Sequence, residues 1–83
     1  MSYFLKTLKM IGNFYELCGQ PSIAVKFYRQ LFIGSLSLKN HSYVCHALTG
    51  LASCCDAENL YQEGVQILKK ALEYAWMSRR KEL

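Results

Sequence analysis

Apolar residues along this chain recur at intervals of three and four rather than two, the spacing that puts side chains on one face of an α-helix. Phe4, Leu8, Ile11 and Tyr15 make the first such face and predict a helix from about Tyr3 to Cys18. Gly19 suits the left-handed turn that ends a helix, and Pro21 suits the first turn of the next, where a missing N–H costs nothing. A second helix is expected from Pro21 to about Leu38, with Ala24, Phe27, Tyr28, Leu31 and Ser35 on one face. Asn40 or Ser42 can cap a third, from about Ser42 to Cys55, carrying Val44, Leu48, Leu51 and Cys55. Asn59 followed by Gln62 is arranged like a capping box for a fourth helix, from about Leu60 to Arg80. Its apolar residues are Gly64, Ile67, Leu68, Ala71, Ala75 and Trp76, with Ile67, Leu68, Ala71 and Ala75 expected to face the first three helices. The expected fold class is all-α: two antiparallel helical hairpins stacked as a segment of an α-solenoid.

Displacing the chain by 40 residues lays Leu8 on Leu48, Ile11 on Leu51 and Gly12 on Ala52, then Ala24 on Gly64, Phe27 on Ile67 and Tyr28 on Leu68. What repeats is size: small residues where helices must cross closely, large ones between. One hairpin therefore occurs twice, over about 3–40 and about 42–80. The run Leu8-x-x-Ile11-Gly12-x-x-Tyr15, Gly19, Ala24-x-x-x-Tyr28-x-x-Leu31 resembles the tetratricopeptide-repeat (TPR) family. So does its second copy, Leu48-x-x-Leu51-Ala52-x-x-Cys55, Tyr61, Gly64-x-x-x-Leu68-x-x-Ala71. Cys55 departs from the usual aromatic and Gly64 from the usual alanine, and neither copy has the closing proline. The 40-residue period exceeds the family's usual length of about 34 and is similar to that of its long-repeat branch.

The resemblance implies a non-catalytic scaffold or adaptor within a larger assembly, holding a peptide segment or neighbouring helical repeats. It also implies a cilium or cytoskeleton as an extension of the cytoplasmic setting that the cysteines, read as reduced thiols, predict. The first helix of each hairpin would line a concave partner-binding groove, presenting Lys6, Lys9, Asn13 and Glu16, then His46, Thr49, Ser53 and Asp56. Lys9-x-x-x-Asn13 is similar to the opening of the family's carboxylate clamp, but Ser53 stands where the clamp's second asparagine would fall. Solenoids normally need three or more repeats, because each buries its face on the next. Two repeats predict a portion of a longer array, with Val65, Leu72 and Trp76 as end-face contacts and Arg79–Leu83 as a tail entering a further repeat.

Composition adds to this. Apolar residues make up 52% and charged residues 19%, the latter below the usual quarter or so, as expected if some faces await a neighbour. The net charge of +4 is spread from Lys6 to Lys81, whereas nucleic-acid binders concentrate it on one stripe. A helical-repeat nucleic-acid-binding module is the alternative reading. The aromatics that could stack on bases mostly fit core positions. His41 and Cys45 share a helical face but fall two ligands short of a metal site. No nucleophile motif or phosphate-binding loop occurs, and the acids are scattered, so no enzyme activity, cofactor or small-molecule substrate is expected. No apolar run approaches the roughly 18 residues of a membrane span. Cys18, Cys45, Cys54 and Cys55 are read as reduced thiols in a reducing compartment. The mass of freshly purified protein without reductant is expected to be that of the fully reduced chain; a loss of four protons, to two bridges, would refute this reading.

Overall fold

The computed structural model describes residues 3–81. It contains four helices: α1 (Tyr3–Leu17), α2 (Pro21–Ser37), α3 (His41–Ala57) and α4 (Tyr61–Lys81), with no strand among the described residues. The expected tail contact at Arg79–Leu83 extends past the described residues.

Three short turns reverse the chain, and all close in the same way. Gly19, Lys39 and Asn59 have φ of 74°, 55° and 62°. Each donates its N–H to the carbonyl three residues back, at Glu16, Leu36 and Asp56. The next residue donates to the carbonyl five back, at Tyr15, Ser35 and Cys55. These paired bonds satisfy carbonyls that a helix end leaves free. Glycine adopts this conformation without strain; Lys39 does so at a cost of about 1 kcal/mol. At the start of α3, the Asn40 side chain accepts from the Tyr43 N–H at 3.2 Å. The expected box of Asn59 with Gln62 does not form, because Asn59 belongs to the turn that ends α3 and Leu60 precedes α4. Asn59 instead accepts a bond from the Tyr61 hydroxyl.

Consecutive helices run antiparallel, each packed on the next; α1 also touches α3, whereas α2 and α4 do not meet. Thus α1 and α3 form one layer, and α2 and α4 the other, in a slab of 38 × 28 × 17 Å. The seam that α1 buries is Leu5, Leu8 and Gly12, not the expected face led by Phe4, which is 62% exposed. Gly34 of α2 explains the choice. A Cβ there would stand 3.2 Å from both Leu5 and Phe4, so its absence lets α2 close directly over Leu5 while Phe4 lies at the rim.

Tyr28 is the centre of the packing. It is 1% exposed, and its ring lies between Gly12 of α1 and Gly50 of α3. A Cβ at either glycine would fall 2.6 Å from the ring, far inside contact distance, so the ring and the two bare backbones depend on each other. Beyond α3, Val44 and Leu48 pack on Ala71 of α4, and the Cys45 thiol donates to the Ala71 carbonyl at 3.4 Å. The expectation that Leu68 and Ala75 face inward fails: both are exposed, Leu68 by 49%. Helix α2 is covered by α1 and α3, whereas α4 is covered by α3 alone.

Gly12→Ala is expected to lower stability by about 1–3 kcal/mol by overpacking. Tyr28→Leu, which shortens the ring side chain, should recover part of that loss when combined with it, as the Ala52 and Leu68 pair shows in the second hairpin. Denaturant unfolding of the two single variants and the double variant measures the coupling; strictly additive losses would show that the ring does not set the glycine requirement.

Candidate protein-interaction surface

The polar residues expected to line a groove separate into two groups. The first surrounds Glu16. The Tyr28 hydroxyl lies 2.5 Å from Glu16 Oε1 and 2.6 Å from Asn13 Oδ1. Its single proton serves one acceptor at a time, and the carboxylate is the stronger. Ser53 of α3 donates to the other carboxylate oxygen, Oε2. Burial, then the hydrogen bond to Glu16 and the charge of Glu16, hold the Tyr28 phenol well above its usual range, so it remains a donor. Asn13, Glu16 and Ser53 thus join α1 to α3 around the end of the Tyr28 ring. Burial, then the charge of Lys9 on the neighbouring helix, lower the His46 pKa. Lys6 is exposed and joins neither arrangement.

The second group lines an apolar groove. Thr49, Ser53 and Asp56 edge a depression of about 370 Å³ between α3 and α4, floored by Ala52, Gly64 and Leu68. The Thr49 hydroxyl turns back to the His46 carbonyl of its own helix, so it withdraws from the groove as a free donor. Along the adjoining face of α4 run Val65, Leu68, Leu72 and Trp76, which are 49%, 49%, 72% and 58% exposed. Val65, Leu72 and Trp76 share one face as expected, and two residues not expected there extend it: Leu68 continues the face and Tyr61 opens the groove. Helical spacing contained the signal: Tyr61, Val65, Leu68, Leu72 and Trp76 fall at steps of four, three, four and four.

No protein-family model matches the chain, and neither a curated protein nor a solved structure matches it.

Among the described residues no three His, Cys, Asp or Glu side chains converge on a metal position. The His41 ring packs on Tyr74 at 5.7 Å with Nδ1 buried and unpartnered. The neighbouring Cys45 has its thiol proton committed to α4 and its pKa raised by burial. Cys54 is buried, and burial followed by the charges of Glu16, Cys55 and Glu58 pushes its thiol up to about 11, which disfavours the thiolate a nucleophile needs. No helix of the described residues is long and apolar enough to cross a membrane.

The influence of Lys9 on His46 gives a pH prediction. The His46 pKa is lower in the folded chain than its ordinary 6.5, so on acidification the unfolded chain takes up this proton first. Its contribution to stability is unchanged above about 6.5 and falls as pH drops through the folded value. Lys9→Gln is expected to move the His46 midpoint upward in an NMR titration, with Lys6→Gln leaving it in place; equal effects of the two would mean that Lys9 is not the local charge.

Proposed function

We propose that the chain is a non-catalytic protein-interaction scaffold, a TPR-like helical-repeat segment of a larger assembly that receives a helical protein segment on its α3–α4 end. The observation that carries this reading is the open groove continuous with an exposed apolar stripe from Val65 to Trp76. Scattered apolar residues are ordinary on protein surfaces, but a contiguous stripe of this kind marks a contact surface. A helix laid along it would bury Leu72 and Trp76, each contributing roughly 1.5–3 kcal/mol. The polar edge of Thr49, Ser53 and Asp56 would set its register, in the way polar rims fix orientation while apolar centres supply affinity. The strip formed by Lys9, Asn13, Glu16 and His46, with Lys6 beside it, is a second surface open to an extended peptide. The cytoplasmic setting rests on reading the four cysteines as reduced thiols, and the ciliary or cytoskeletal one on the family resemblance alone.

The test uses amphipathic helical peptides and generic RNA. Peptide binding that Leu72→Asp weakens by about tenfold or more, and that salt barely changes, supports the scaffold. RNA binding that falls steeply with salt, together with no peptide binding, supports the nucleic-acid module instead and overturns the reading.

A further inference from the structure

The molecule contains a filled version of its own empty groove. Forty residues before the groove residues Ala52, Ser53, Asp56, Gly64 and Leu68 stand Gly12, Asn13, Glu16, Ala24 and Tyr28. There α3 is the occupant: Gly50 lies on the Tyr28 ring, Ala47 and Cys54 enter the same core cluster, and Ser53 bonds Glu16. The same displacement relates Ala47, Gly50 and Cys54 to Thr7, Met10 and Phe14 of α1. Those three lie on the side of α1 turned away from Leu5 and Leu8, and they are exposed, Met10 by 59% and Phe14 by 63%. The stack thus ends in an unfilled groove at one side and an uncovered helix of the matching register at the other.

We infer that these two ends fit each other, so that α1 of a second copy of this chain docks in the α3–α4 groove of the first, head to tail. Size carries the argument. Within the chain, bulk comes from α2, as Tyr28 and Leu31, and α3 answers with Ala47, Gly50 and Cys54. At the free ends the bulk changes sides: α4 offers Gly64 and Leu68, which line the groove, and α1 offers Thr7, Met10 and Phe14. Position 50 must be glycine because a Cβ there would meet Cε1 and Cζ of Tyr28 at 2.6 Å. Leu68 has neither atom, so position 10, its counterpart across the proposed contact, is free to carry a side chain, and it carries methionine, which adapts to irregular gaps. The second hairpin already shows this relief, because Ala52 occupies the place that Tyr28 forces to be Gly12. The polar contacts carry over as well. Asn13 takes the position of Ser53, with an amide able to donate to Asp56 as Ser53 does to Glu16. Lys6 takes the place of His46 and has Thr49 opposite it, where His46 has Lys9.

Such an interface joins unlike surfaces and leaves an unlike pair free, so association continues past a dimer into a ring or an open chain. The inference rests on the scaffold reading and names a partner for its groove. Sedimentation of the chain from about 1 µM to about 1 mM is expected to show mass rising with concentration past the dimer. Met10→Glu and Leu68→Glu, both at exposed positions, should each raise the dissociation constant about tenfold or more. Mixed together, the two variants should form a dimer and stop there, since each retains one intact end. Phe14→Glu provides a second block on α1, and circular dichroism verifies that every variant is folded. A chain that stays monomeric throughout overturns the inference, as does association that Leu68→Glu abolishes while Met10→Glu and Phe14→Glu both spare it, which would mean pairing of like faces. A monomeric chain that still binds helical peptides loses this inference and keeps the scaffold reading; one that binds neither loses both.

Discussion

One tyrosine ring held between two backbones without side chains determines how the first three helices meet. Tyr28 needs Gly12 on one side and Gly50 on the other, because a Cβ on either helix would fall 2.6 Å from the ring. Its hydroxyl then needs an acceptor inside the packing, and Glu16 supplies one while also receiving Ser53 from α3. An unpaired phenol at this depth would forfeit roughly 1–3 kcal/mol. Shape and polarity are therefore satisfied at one point, and that point fixes the distances of α1 and α3 from α2 and brings their polar faces side by side.

The second hairpin follows the same plan with the constraint relaxed. Leu68 replaces Tyr28, Ala52 replaces Gly12, and the polar network around Glu16 has no closed equivalent at Asp56. Helix α4 is held on one side by Val44, Leu48 and the Cys45 thiol, and its other side is the exposed stripe. The groove is thus not an irregularity of the surface. It is the position next in order after α3, shaped by smaller residues than those that shape the position α3 fills.

The sequence made the order of helices and the places where the chain turns readable, since Gly19, Pro21 and Asn40 carry those signals by their backbone and capping chemistry. Ala24, Tyr28, Leu31 and Ser35 were also legible as one face, and all four are buried. Leu5 was not, because Phe4 and Leu5 both continue the spacing to Leu8, and only the missing side chain at Gly34 decides between them. Periodicity also could not tell which apolar side of α4 would be covered, so Leu68 was placed inward. The partnership of Gly50 with Tyr28 lies across helices and breaks the repeat, since Met10 stands at the equivalent position. Lys39 gives no sign of its left-handed backbone, a conformation that the turn imposes on it, whereas Asn59 is of a residue type that tolerates it. Of the candidate surface, the polar residues were visible by type and spacing, whereas the apolar groove depends on what α4 lacks as a neighbour.

The zigzag of helices, each resting mainly on the next, also governs the order in which structure is acquired and lost. Contacts between adjacent hairpin arms close short loops, which favours rapid folding. The Tyr28 contact draws on three helices at once and commits Tyr3–Ala57 together, while α4 adds to a platform already formed. Its backbone amides are protected by a single interface, so the free energy to release α4 is smaller than that to unfold the whole chain. A partner that settles against α4 would close this escape route and raise the barrier to unfolding from that end, making occupancy of the groove a determinant of the chain's lifetime as well as of its associations.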